Sequence, residues 1–277
     1  SWRTMARSID PAPKAVRGFV PARNDEERYL MRHIEDLART ASSRGIARYS
    51  GFLSDREQQL AQAALNRTDM PEDEIRFDGG WPGAERKLLC LEPVDSYPAS
   101  PLCCVRLQCR ALPGAQLPAH KDYLGSLMGL ELRREALGDI VLPEDQLGVA
   151  YVFALEPAAE LICQELRQAG HTDLTAEMQP LETLPAFPQA ERPRQTATVS
   201  SLRLDAVLAA MLRCSRGMAA ELVTAGRVEI NHLPAESVHA PVYEDDVFTV
   251  RGKGRFQLTA LPGKSKKDRL IIEYFQY

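Results

Sequence analysis

The residues best suited to chemistry are cationic or hydroxyl-bearing and lie close together in the chain: Arg203, Arg213, Ser215, Arg216, Thr224, Arg227, Asn231, Arg251, Lys253 and Arg255. Such a set, rich in donors, suits the oxygens of a phosphate backbone. Ser215 has the position of a helix N-cap, which puts Arg216 in the first turn. Open backbone N–H groups and the helix dipole already favour an anion there. Small Ala206, Ala210 and Ala220 would let such a backbone come close. From 251 to 269 the chain carries seven Lys or Arg against one acid, Asp268, a phosphate-seeking stripe. The ordinary alternative for any one of these groups is a solvated surface charge.

Two short helices and a small sheet must position them. A cap at Ser201 would open a helix in which Leu204, Val207, Leu208, Met211 and Leu212 form an apolar stripe. Arg203, Ala206, Ala210 and Arg213 fall opposite. In the helix opened by Ser215, Ala219, Leu222 and Val223 face inward, Arg216, Ala220, Thr224 and Arg227 face outward, and Gly226 supplies the stop. The period then drops to two at Val228 and Ile230. Asn231-His232 and Glu244-Asp245-Asp246 read as turns, the second leading into a strand from Val247 to Arg251, followed by the Gly252-Lys253-Gly254 connection.

Upstream, Asn24 with Glu27 and Ser54 with Glu57 have capping-box spacing, so residues 1–75 read as an irregular arm to Arg23 followed by a helical layer. The absence of an initiator Met suggests a trimmed or tagged start. Residues 76–179 alternate strands and helices, and from Leu102 the order is β-α-β-β-α-β, the ferredoxin-like arrangement also used by RNA-recognition sheets. Tyr151 and Phe153 share one face of its third strand, where core packing is the stronger reading. His120, Lys121, Arg133 and Arg134 form a second candidate phosphate patch. The alternative is that Glu85, Arg86, Asp122 and Asp139 pair internally to hold this domain together. Residues 180–199 hold four prolines and read as a semi-rigid linker to a module over 200–277. The fold class is α+β.

Composition narrows the options. With 277 residues and 44% hydrophobic content there is room for two or three cores. No apolar run is long enough to span a membrane and no secretory signal opens the chain, so a soluble cytoplasmic protein is expected. The six cysteines form no CxxC pair and the five histidines lack ligand spacing, so neither a metal nor a cofactor is expected. Net charge is −4, yet from residue 200 onward there are eleven Lys or Arg against nine Asp or Glu. The basic character is local, which fits salt-sensitive binding better than blanket coating of nucleic acid. No nucleophile elbow, protease set or phosphate-cradling glycine loop is present, so no catalytic residue is expected.

Arg203-Leu204-Asp205, Ser215-Arg216, Gly226-Arg227-Val228, Asn231, Asp246 and Val250-Arg251-Gly252-Lys253-Gly254-Arg255-Phe256 resemble the S4-type (alpha-L) RNA-binding domain. Gly79-Gly80-Trp81-Pro82-Gly83-Ala84-Glu85-Arg86, His120-Lys121-Asp122-Tyr123-Leu124-Gly125 and Arg133-Arg134-Glu135-Ala136-Leu137-Gly138-Asp139-Ile140 resemble the middle domain of the YlmH-like family of S4-type proteins. The family's Asn-Gly turn is Asn231-His232 here, and its Gly-Asp turn is Asp245-Asp246. What the resemblance implies is a non-enzymatic protein that binds ribosomal and transfer RNA on the large ribosomal subunit. Relatives are associated with rescue of stalled large subunits, carry photosystem II labels, or are encoded beside division genes. Arg203-Leu204-Asp205 is also similar to the catalytic Arg-Leu-Asp of pseudouridine synthases, so an rRNA-modifying enzyme is the alternative, with a protein-interaction scaffold third.

Overall fold

The structure, a computed structural model, describes residues 21–110, 112–187 and 192–277. The arm expected up to Arg23 therefore lies almost wholly outside the described residues, as does the middle of the proline-rich stretch. The chain divides into two compact units, Ser1–Gln189 and Ala190–Tyr277.

In the first unit both expected caps open their helices. Asn24 accepts from the Glu27 amide at the start of α1 (Asp25–Arg44), and Ser54 and Glu57 bond reciprocally at the start of α2 (Asp55–Leu65). Between the helices lies a strand, β1 (Arg48–Leu53), where the sequence predicts only a helical layer. It pairs with β3 (Lys87–Leu91), which also pairs with β2 (Ile75–Asp78), giving the order β1-β3-β2. Its partner lies some forty residues away, so no local pattern announces it.

The expected ferredoxin-like order follows: β4 (Leu102–Cys109), α3 (His120–Met128), β5 (Leu137–Val141), β6 (Val149–Leu155), α4 (Glu156–Glu165), a two-residue β7 (Gln168–Ala169) and β8 (Thr172–Gln179). The sheet runs β5-β6-β4-β8-β7 with all pairs antiparallel. Helix α4 stops at Glu165, and Gly170, with a φ of 58°, turns β7 into β8. Tyr123, Leu127, Ala158 and Ile162 of the helices pack on Val105, Leu107, Ala150 and Val152. On the other face Leu102, Cys104, Tyr151 and Phe153 meet Phe52, Leu88 and Cys90. The face that RNA-recognition sheets leave open is thus covered here, and Tyr151 and Phe153 are only 3% and 0% exposed. Burial pushes the Cys104 thiol up to about 12.

The second unit is a six-stranded antiparallel sheet, in the order β11-β10-β12-β13-β14-β9, with two helices on one face. Its elements are β9 (Gln195–Val199), α5 (Leu204–Leu212), α6 (Arg216–Thr224), β10 (Val228–Ile230), β11 (Leu233–Pro234), β12 (Val247–Val250), β13 (Gly254–Lys264) and β14 (Leu270–Gln276). Strand β9 falls inside the stretch read as linker. It pairs with β14, and its polar alternation Thr196/Thr198 is that of an edge strand.

Helix α5 begins at Leu204 after Arg203, and not from a Ser201 cap. Its first amides are satisfied by distant backbone: Leu204 N donates to the Ala240 carbonyl at 2.9 Å and Asp205 N to that of Val238 at 3.0 Å. Asp205, Ala206 and Ala209 are buried together with the apolar stripe, so α5 buries more than the sequence pattern marks. Ala206, at 6% exposure, is closed to any approaching ligand, while Ala210 and Ala220 keep partial exposure.

Candidate nucleic-acid interface

The α5–α6 corner is built by two local devices. Arg213 adopts a left-handed φ of 53° and ends α5, with Cys214 N donating back to the Ala209 carbonyl at 3.0 Å. Ser215 then caps α6, its hydroxyl accepting from Met218 N at 3.1 Å, so Arg216 is the first helical residue as expected.

That corner brings Arg216 against Asp205, in the first turn of α5. One carboxylate oxygen of Asp205 accepts from Arg216 Nη2 at 3.0 Å and Arg203 Nη2 at 3.1 Å, and the other from Arg203 Nε at 3.3 Å. Arg203 also touches His239 Nδ1. Burial pushes the Asp205 carboxyl up, but hydrogen bonds and charge from Arg216 and Arg203 outweigh it and hold the pKa below 3.8. The carboxylate is 8% exposed, whereas the two arginine side chains remain 41% and 49% exposed. One buried acid thus holds two half-open guanidiniums side by side beside the N-terminus of α6. The trio carries a net positive charge with its rotamers fixed in advance, which suits a phosphate oxygen.

The other positions form further groups. Gly226, at φ 72°, turns the chain out of α6, and Arg251 N then bonds the Arg227 carbonyl at 2.9 Å. This sets the exposed Arg227 and Arg251 at one end of the β10–β12 pair, with exposed Lys253 in the adjoining turn. Arg213 reaches Gln195 Oε1 at 3.3 Å. Arg255 lies on the sheet face away from the helices, 4.0 Å over the Tyr277 ring. Three polar candidates serve the fold. The Ser215 hydroxyl is the cap, Thr224 donates to the Ala220 carbonyl at 2.9 Å, and the Asn231 amide bridges Asp246 and Val247 N at 2.9 Å each. Asn231 and His232 take φ of 50° and 67° although neither is glycine. The Asn231 amide bridge holds the turn despite that cost.

In the first unit the motif residues mostly brace one another. The Asp139 carboxylate accepts from Trp81 Nε1 at 3.0 Å, Glu85 N at 2.8 Å and Arg86 N at 3.1 Å. The Arg86 guanidinium donates to the Leu137 and Arg134 carbonyls, both at 3.0 Å. A Cβ on Gly80, at φ 92°, would stand 2.5 Å from the Phe153 ring. The expected pairing among Glu85, Arg86, Asp122 and Asp139 is thus mainly acid to backbone amide, Asp122 likewise accepting from Ala119 N at 2.8 Å. Arg134 spends a nitrogen on the Leu137 carbonyl at 3.0 Å. His120 and Lys121 are exposed on the first turn of α3, and Arg133 is 85% exposed.

The role of Asp205 is what sequence reasoning missed. The arginine that completes the clamp is eleven residues on, beyond the reach of any local spacing rule. Among the described residues no group of His, Cys, Asp and Glu is placed to hold a metal, and no helix is long and apolar enough to cross a membrane.

Residues 202–248 match the model of the S4 domain, and residues 115–183 match that of the YlmH RNA-binding domain. Ribosome-associated protein quality control protein P2 of Bacillus subtilis (strain 168) is 33% identical over 253 residues, which cover 91% of this chain and 95% of that protein. A solved structure described as cell division protein ylmH from Streptococcus pneumoniae aligns with 59% of this chain and 96% of its own, at 13% identity and a TM-score of 0.46.

Proposed function

Because this chain belongs to the YlmH-like family of S4-domain RNA-binding proteins, we propose that it grips structured ribosomal and transfer RNA on the large ribosomal subunit. The setting would be quality control of translation in the cytoplasm, as the name of its Bacillus subtilis relative suggests. The observation that carries this reading is the Asp205 clamp, which presents Arg203 and Arg216, half exposed, beside an open helix end. Arg227, Arg251 and Lys253 extend the phosphate contacts along the strand ends, and Arg213 adds one beside β9. Exposed His120, Lys121 and Arg133 give the first unit a weaker hold on the same RNA, with Arg134 acting mainly through the backbone it braces.

The protein works by binding and not by chemistry. Asp205, the acid of the Arg-Leu-Asp that resembles the synthase motif, lies inside the S4 domain, where it is buried and bound by two guanidiniums, an arrangement that stabilises the carboxylate and leaves it unsuited to attack. Sedimentation of cell extract at two salt concentrations tests the reading. The protein co-migrates with large subunits at low salt and is released as salt rises, because displaced counterions drive such binding. A protein that stays at the top of the gradient at both salts overturns it.

A further inference from the structure

The face of the second unit's sheet turned away from α5 and α6 carries an aromatic and cationic cluster that the phosphate-binding corner does not use. Period two sorts the strands. Phe248, Val250, Phe256, Leu258, Ile272 and Tyr274 are buried under the helices. Their alternates Thr249, Arg255, Gln257, Phe275 and Tyr277 fall on the opposite face. The register sets Thr249 opposite Arg255 and Gln257 opposite Phe275. Tyr277 N donates to the Arg255 carbonyl at 2.9 Å, continuing the β13–β14 ladder.

On this face the Phe275 and Tyr277 rings lie 5.0 Å apart at 57°. The Arg255 guanidinium carbon is 4.0 Å from the Tyr277 ring centre. That of Arg192 is 4.4 Å from Tyr277 and 5.7 Å from Phe275. The Tyr277 hydroxyl donates to Gln257 Oε1 at 3.0 Å, and Tyr277 stays 41% exposed. Two acids share this face: Glu273 is met by Arg194 at 2.8 Å, and Glu229 lies in the same row as Thr249 and Arg255.

Rings and guanidinium planes on an open sheet, flanked by a Thr and a Gln that can meet base edges, have the chemistry of a nucleobase-stacking surface. The charge excludes an apolar partner, because covering it would bury guanidiniums. An acidic peptide would answer the arginines but leave the ring planes without a stacking partner.

We propose that this outer face binds unpaired RNA bases by stacking on Phe275, Tyr277 and the guanidiniums of Arg192 and Arg255. It is separate from the helix-side phosphate corner and does not depend on it. The test uses the full chain with a short labelled oligouridylate, an abasic oligomer of equal length and a polyglutamate peptide. Oligouridylate binds, and both the abasic oligomer and the peptide bind about tenfold more weakly or worse, as loss of base stacking requires.

Phe275→Ala with Tyr277→Ala lowers oligouridylate affinity about tenfold or more, whereas Arg203→Glu with Arg216→Glu lowers affinity for structured RNA. Because the double alanine variant alters the end of a strand, photocrosslinking of 4-thiouridine oligomers to the unmodified protein gives an independent readout. Crosslinks fall on the β14 peptide or around Arg255. Equal binding of abasic and base-bearing oligomers, equal competition by polyglutamate, undiminished binding by a folded double variant, or crosslinks confined to α5 and α6 would each overturn the proposal. Failure of the helix-corner variant alone to lose structured RNA would instead strike the phosphate-gripping reading.

Discussion

The two units use arginine in opposite ways. In the first, Arg86 is turned inward onto backbone carbonyls, and Arg76 is held between Glu92 and Asp78. The carboxylates of Asp78 and Glu92 hold the Arg76 guanidinium charged against its partial burial. In the second, Arg203 and Arg216 share one acid and still keep about half their surface open. The motifs of both units carry arginines, so the presence of the residue does not by itself mark a binding face. What marks it is the balance of partners: two guanidiniums on one carboxylate leave donors over, whereas one guanidinium on several carbonyls does not.

This contrast can be broken from either side. The largest effect is expected at Asp139→Ala, which strips the acceptor from three N–H groups and should cost about 3–5 kcal/mol of first-unit stability. Calorimetry should show that unit melting earlier while RNA affinity of the second unit holds; an unshifted transition would mean the motif does not brace the fold.

Asp205→Asn comes next. It removes a negative charge from the proposed phosphate-binding face, yet RNA affinity should fall about tenfold because the two guanidiniums lose their preset geometry. A rise in affinity would show that Asp205 is only a repulsive charge. The same variant has a pH signature. The folded pKa of Asp205 lies below 3.8, so its stabilisation is present above that value and lost as pH falls through the depressed folded value. In Asp205→Asn this part of the acid-unfolding curve should vanish. Ser215→Ala, the smallest change, should cost about 1 kcal/mol by removing the α6 cap, or roughly 4–8 °C in the melting of a unit of this size.

Much of the positioning was legible because it is local. Ser215, Gly226, the Asn24 and Ser54 caps and the βαββαβ order follow from neighbours within a turn or a strand. What was illegible depends on partners far along the chain. Strand β9 exists through β14, some seventy residues downstream, and its Thr-rich outer face reads as loop. The Asp205 clamp needs Arg213 to turn in the left-handed region before Arg216 can return to α5, a geometry more often signalled by glycine. Reading donors from the sequence alone also gathers Ser, Thr, Asn and Arg side chains onto one face. Ser215, Thr224 and Asn231 turned out to spend their polar groups on caps and turns, and Arg255 stands across the sheet from the helices. Spacing reports which residues share an element, and only the packing of that element reports which way its charges are spent.

The central claim is that the second unit's arginines hold RNA phosphates. Its most direct test is the affinity of the full chain for structured RNA across a salt series, compared with Arg216→Glu plus Arg227→Glu. The account predicts a folded variant with at least about 100-fold weaker binding and a log–log salt slope shallower by about two. A folded variant with unchanged affinity and unchanged slope would contradict it.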